Sequence, residues 1–153
     1  MATIIKFEEL PLWQKARLLN QKLRPFSLLM KESHDWGLNN QVTRSAGSVM
    51  DNIAEGFERG GNREFITFLG YAKGSNGEVR SQLYRMKDSG CLNEDQFREL
   101  YDLSEEITRM LIGFIRYLKQ SELKGYRLSE PGANYELNGE IPDEVLFGKQ
   151  HSP

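Results

Sequence analysis

The chain has 153 residues and a mass of 17.7 kDa, enough for one ordinary hydrophobic core. With 39% apolar and 27% charged residues and a mean hydropathy of −0.58, it is polar without the composition of a disordered chain. Twenty Lys and Arg against twenty-two Asp and Glu give a net charge of −2, which excludes a uniformly basic nucleic-acid binder and leaves room only for a local basic face.

Helical periodicity predicts four helices. The first covers residues 10–31, where Leu12, Trp13, Ala16, Leu19, Leu23, Phe26 and Met30 recur near 3.6-residue spacing. Pro25 falls inside it. Because the apolar pattern resumes at Phe26, a kink is expected there rather than a stop. His34-Asp35-Trp36-Gly37 reads as a loop. Asn39 is the expected N-cap of a second helix over 40–58, with Val42, Ala46, Val49, Ile53 and Phe57 on one stripe. Gly60-Gly61 ends it. Asn62 is the expected cap of the third helix, with Glu64 near its positive end. That helix runs to about residue 88 and buries Phe65, Leu69, Ala72, Val79, Leu83 and Met86, before Ser89-Gly90 closes it. Asn93-Glu94-Asp95-Gln96 has the form of a capping box with two carboxylates in the first turn. The fourth helix it opens reaches about residue 120 and turns Phe97, Leu100, Ile107, Leu111, Phe114 and Leu118 inward. From residue 121 onward Gly125, Pro131, Gly132, Gly139, Pro142 and Gly148 break any period, leaving a tail with a short turn near 142–147. Connections this short make neighbouring helices antiparallel. The predicted fold is all-α: an antiparallel up-down-up-down four-helix bundle over 7–120 and an irregular C-terminal tail over 121–153.

Residues that could carry chemistry are few. Cys91 is the only cysteine, so an intrachain disulfide and a multi-cysteine metal site are excluded. His34 and His151 have no ligand-spaced partner, and the Glu-x-x-His pairs of a di-iron bundle are missing. Gly70-Tyr71-Ala72-Lys73-Gly74-Ser75 faintly resembles a phosphate loop, but the order is Lys-Gly-Ser and no strand precedes it. Cys91 without a nearby His reads as a small hydrophobe. No enzyme, cofactor or metal is expected. Residues 1–6 lack an apolar h-region, and the longest apolar run, 110–118, is interrupted by Arg116. Neither a signal peptide nor a membrane span is expected, and a cytoplasmic location is.

Two patterns go beyond a plain bundle. Gly70, Gly74, Gly77 and Ser81 form one ridge on the third helix, and three interior glycines cost roughly 2–3 kcal/mol against alanines. Either a second helix packs into the ridge or a ligand approaches its bare backbone. Ser45, Ser48, Asn52 and Gly56 form a matching small ridge on the second helix, beside Thr43, Gly47 and Ala54, and suit a tight helix pair within or between subunits. On the same helix Gln41, Arg44, Ser48, Asn52, Glu55 and Arg59 make a polar stripe, either solvated or an interfacial network that fixes assembly register. The candidate assembly residues are therefore Arg44, Ser48, Asn52, Glu55, Gly56, Gly70, Gly74 and Gly77. Leu103, Met110 and Tyr117 add a second apolar stripe to the fourth helix, and this surplus predicts oligomerisation.

Charge forms the second pattern. Residues 10–31 hold Lys15, Arg17, Lys22, Arg24 and Lys31 and no acid; Arg17, Arg24 and Lys31 are spaced by sevens. Lys73, Arg80 and Lys87 repeat that spacing on the third helix beside Tyr84, while the fourth is acidic through Glu94, Asp95, Glu99, Asp102, Glu105 and Glu106. The cations are either ordinary solvated faces or a phosphate-contacting surface of low sequence selectivity.

Four motifs carry a resemblance: Trp13-Gln14-Lys15-Ala16-Arg17, Gln41-Val42-Thr43-Arg44-Ser45-Ala46, Asn52-Ile53-Ala54-Glu55-Gly56-Phe57-Glu58-Arg59 and Lys73-Gly74-Ser75-Asn76-Gly77-Glu78-Val79-Arg80-Ser81-Gln82-Leu83. Over about 7–118 the chain resembles the 23S rRNA intervening-sequence protein family, also called four-helix-bundle proteins. The resemblance implies a small bundle that assembles as a homopentamer with no established enzyme activity. Some members are encoded within intervening sequences of bacterial 23S rRNA genes. A related branch, the accessory variability-determinant protein of diversity-generating retroelements, is a basic pentamer that binds its reverse transcriptase and nucleic acid; this slightly acidic chain is more similar to the general family. Pro25 and the tail are less typical of the family and borrow no role from it. No catalytic residues carry over, and Asn52, Glu55 and Gly56 are structural or interfacial by this resemblance. The expected function is a non-enzymatic oligomeric scaffold that binds nucleic acid (RNA or DNA backbone), a nucleic-acid enzyme such as a reverse transcriptase, or both. The alternative is a pure protein-protein interaction module.

Overall fold

The computed structural model describes residues 4–33, 35–123 and 141–147. His34, His151, Gly125, Pro131, Gly132, Gly139 and Gly148 lie outside these. The long helices are α1 (Pro11–Glu32), α2 (Trp36–Glu58), α3 (Asn62–Asp88) and α4 (Glu94–Leu123). A 3-10 turn, Phe7–Glu9, precedes them, and a one-turn helix, α5 (Asp143–Leu146), follows. Each long helix packs on its neighbours in sequence, and α4 closes the ring on α1. Cross-helix pairs run in opposite directions, as Lys15 with Glu106 and Lys22 with Glu99 show for α1 and α4. This is the predicted all-α four-helix bundle.

Local chemistry sets the helix ends. Pro11 occupies the first position of α1, where its missing N–H is no loss. α1 continues through Pro25. Pro25 and Gln21 are both exposed, so the carbonyl deprived of its helix donor lies on the solvent side. α2 begins earlier than expected. Asp35 is its N-cap, accepting from the Leu38 N–H at 3.2 Å, and Trp36 and Gly37 are helical rather than loop. Asn39 is buried one turn inside, where its Oδ1 accepts from Ser27 Oγ at 2.7 Å; it ties α2 to α1 instead of capping. α3 is capped by Gly61, so Asn62 is its first residue and not its cap. The chain reverses at Gly60 and Gly90, both at positive φ (77° and 79°), where a side chain would be strained. The α4 capping box forms as expected: Asn93 Oδ1 accepts from the Gln96 N–H at 2.8 Å, and Gln96 Oε1 from the Asn93 N–H at 2.9 Å.

The predicted inward stripes form the core, with Trp13 and Phe26 only half-buried at its margin. Each fully buried Leu, Phe or Met contributes about 1.5–3 kcal/mol relative to exposure. The second stripe of α4 is not surplus. Leu103 and Met110 are buried within this chain and Tyr117 is half-buried. α4 packs against α1, α3 and α5, which absorbs its wide apolar arc. The expected turn near 142–147 is α5, and Ile141, Val145 and Leu146 rest on the core.

Three polar or small residues lock the helices together. Asn76 and Ser104 are fully buried between α3 and α4. The Asn76 amide donates to the Ser104 carbonyl at 2.7 Å and to Thr108 Oγ1 at 2.9 Å, and Ser104 Oγ donates to Asn76 Oδ1 at 2.9 Å. Gly56 is a point of close approach between α2 and α3. A Cβ there would lie 2.6 Å from Phe68 Cβ and 3.0 Å from Phe65 Cδ2. Phe68 Cβ is rooted at the backbone, so a methyl group forces the first turns of α3 away. Gly56→Ala is expected to lower the unfolding free energy by about 1–3 kcal/mol in urea titrations, against its gain in helix propensity. Unchanged stability would show that α3 can retreat freely.

Candidate functional site

The described residues hold no cluster of three or more His, Cys, Asp or Glu suited to a metal ion. None of their helices is long and apolar enough to cross a membrane. The 70–75 stretch lies inside α3, where backbone N–H groups serve the helix itself and cannot cradle a phosphate. Cys91 is half-buried, and burial, followed by the charge of Asp35, pushes its thiol above the ordinary range, the reverse of an activated nucleophile.

The candidate basic residues of α1 and α3 divide into two groups. The acidic face of α4 lies between α1 and α3 and takes cations from both. Lys15 pairs with Glu106 at 2.9 Å, Lys22 with Glu99, Arg80 with Glu105 and Lys87 with Glu94. A hydrogen bond from Lys87, with its charge, holds the Glu94 carboxyl below the usual carboxylate range. Lys87 also sits 4.7 Å from the Phe97 ring centroid, in an aromatic group with Tyr84 and Tyr101. Exposed pairs of this kind are worth about 0–1 kcal/mol each. The second group makes no ion pair among the described residues: Arg24, Lys31, Lys73 and Arg17, whose guanidinium lies 5.9 Å from the Trp13 ring centroid. Arg17 and Arg24 border a cleft of about 380 Å³ between α1 and α2.

The assembly candidates also divide. The small ridge of α2 packs on α3, but not on the glycines. Ser48 Oγ meets Ser75 Oγ at 2.8 Å, Ser45 donates to Glu78 Oε2 at 3.0 Å, and Gly56 abuts Phe65 and Phe68. Asn52 turns back to the carbonyl and hydroxyl of Ser48 at 2.8 and 2.9 Å. Glu55 pairs with Arg59 at 2.8 Å, and Arg59 covers the Phe68 ring. Gly70, Gly74, Gly77 and Ser81 lie on the opposite side of α3 from its buried residues. A Cβ at Gly70, Gly74 or Gly77 would meet nothing within 4 Å. Among the described residues, no helix of the chain crosses closely over these glycines. The exposed Tyr71 and Tyr84 flank this bare strip.

Beside the strip, along the α2–α3 seam, runs a polar groove of about 530 Å³. Arg44, Ser48, Ser81 and Gln82 line it, and Arg85 donates to Gln41 across its end. Gln82 is only 8% exposed; its amide donates to Ser45 Oγ at 2.9 Å, but its buried Oε1 has no partner among the described residues. Periodicity marked Gln82 no more than its neighbours, because a polar residue beside the apolar face is normal on an amphipathic helix.

A family model described as 23S rRNA-intervening sequence protein matches residues 8–113. No curated protein is a significant match. Among solved structures, the chain is similar to the crystal structure of a protein of unknown function from the S23 ribosomal protein family of Bacteroides thetaiotaomicron. The two share 22% identity and superpose with a TM-score of 0.64 over 69% of this chain and 98% of that one, a likeness of fold alone.

Because the glycine strip is unobstructed, Gly74→Ala is expected to stabilise the isolated bundle by about 0.5–1 kcal/mol, opposite in sign to Gly56→Ala. Urea unfolding under conditions that keep the chain monomeric measures it. A loss of stability would mean that something within the chain already covers the strip.

Proposed function

This chain belongs to the 23S rRNA-intervening sequence protein family, and from that premise we propose that it is a non-enzymatic scaffold whose copies assemble through the outward face of α3. The observation that carries this reading is the bare strip at Gly70, Gly74 and Gly77. Three glycines on an exposed helix face each cost about 1 kcal/mol against alanine, and nothing among the described residues needs them small. A close approach by another backbone is the ordinary reason for such a surface. The adjoining groove with Arg44, Ser48 and the unpartnered Gln82 Oε1 supplies polar register to the contact. A ring of five is the number implied by the family resemblance.

The cargo of this reading is nucleic-acid backbone, or a nucleic-acid enzyme such as a reverse transcriptase. Cations that α4 leaves unpaired would recur in every copy, and multivalency multiplies a feeble affinity. A protein-only interaction module is the second reading, favoured by the four cations already tied to α4.

Light scattering at micromolar concentration is expected to give a mass several times 17.7 kDa. Gly74→Leu, which meets no obstacle inside the bundle, is expected to keep the helical circular dichroism signal and yield monomer. A monomeric wild type overturns assembly. A single-stranded RNA titration at several salt concentrations tests the cargo. Lys31→Glu/Lys73→Glu is expected to flatten the log–log salt slope by roughly 0.7 for each phosphate it no longer neutralises. Absence of binding at low salt leaves the protein-only module.

A further inference from the structure

The two flanks of α1 carry the same charge spacing and differ in what lies against them. On one flank Lys15 and Lys22, seven residues apart, meet Glu106 and Glu99 of α4, also seven apart. The molecule thus displays what a basic pair at this spacing receives: an antiparallel helix with carboxylates in the same period. On the other flank Arg17 and Arg24, again seven apart and about 10 Å along the axis, border the cleft between α1 and α2. Leu23, Met30, Val42 and Ala46 form an apolar wall at its buried base, Asn20, Gln21, Ser27 and Thr43 also line it, and no carboxylate does among the described residues. The rim continues one turn to Leu28, which is 62% exposed.

We infer that the α1–α2 cleft is a docking slot for an acidic amphipathic helix of a partner protein. Apolar side chains at helical spacing enter the cleft, and carboxylates two turns apart reach Arg17 and Arg24. A guanidinium holds a carboxylate in two parallel hydrogen bonds, giving the slot geometric selectivity beyond charge. The apolar wall and exposed Leu28 favour a helix over a phosphate backbone, which makes no use of either. Copy-to-copy assembly is not needed for this slot, so monomeric Gly74→Leu chain is expected to bind the helix as well as wild type does.

The probe is a fluorescein-labelled peptide of residues 93–120 of this chain, which carries its own capping box, an apolar stripe, and Glu99 and Glu106. Fluorescence anisotropy with the full chain is expected to show saturable binding that weakens at least ten-fold in Arg17→Glu/Arg24→Glu. Both arginines are exposed, and unchanged circular dichroism confirms that the variant folds. A peptide with Glu99→Lys/Glu106→Lys is expected to prefer the reversed chain, which a general loss of stability could not produce. No binding of the first peptide overturns the slot. Binding abolished by Lys15→Gln/Lys22→Gln but not by Arg17→Glu/Arg24→Glu also overturns it, because the peptide would then be replacing α4. If a labelled twelve-nucleotide oligouridylate binds through Arg17 and Arg24 while the peptide does not, the cleft is a phosphate surface and the inference fails.

Discussion

The tight contact between α2 and α3 at Gly56 sets the terms for the rest of the bundle. With no methyl group there, the first turns of α3 come close enough for Phe57, Phe65 and Phe114 to pack ring against ring. One fixed point on an antiparallel helix pair decides every other pairing along it. Ser48 falls opposite Ser75, and Ser45 opposite Glu78 and Gln82. It also fixes the rotation of α3 about its own axis. Because Phe65, Leu69 and Asn76 face inward, the glycines at 70, 74 and 77 face outward. The bare outer strip and the closely packed inner seam are two consequences of one constraint.

Charge follows packing here and does not lead it. The acidic α4 lies between two helices with cations at seven-residue spacing, and each takes part of its surplus. Such exposed pairs add little stability individually. Their larger effect is to sort the cations of α1 and α3 at seven-residue spacing, leaving Arg17, Arg24, Lys31 and Lys73 outside any ion pair among the described residues. A near-neutral composition thus conceals an uneven exterior, and a count of basic residues overstates what is left to meet a partner.

The helices were legible because apolar stripes at 3.6-residue spacing are long and end at glycine pairs or a capping box. What was not legible was anything that needs a second element to interpret. Asn39 has the right chemistry for a cap, but its side chain belongs to Ser27 on α1. Leu103 and Met110 read as surplus because what buries them lies on other elements of the chain, which spacing along one helix does not display. The glycine strip was plain as a pattern, but no spacing rule says whether a ridge points at a neighbour or at nothing. Gly56 shows the converse: the motif leaves it structural or interfacial, and its close contact lies inside the chain, against Phe65 and Phe68. Asn76 did leave a trace: it occupies an inward position between Ala72 and Val79, where a lone amide is out of place.

That amide gives the bundle a property that oily packing cannot. If α3 slid one turn along α4, most of its Leu, Val and Phe contacts would be replaced by others of similar worth. Apolar surfaces tolerate such slippage cheaply. Asn76 does not, because its three hydrogen bonds to Ser104 and Thr108 exist at one position only, and elsewhere it would sit unsatisfied in hydrocarbon. It acts as a detent in a sliding joint, and a surface assembled from two helices keeps its shape only when the helices cannot slide.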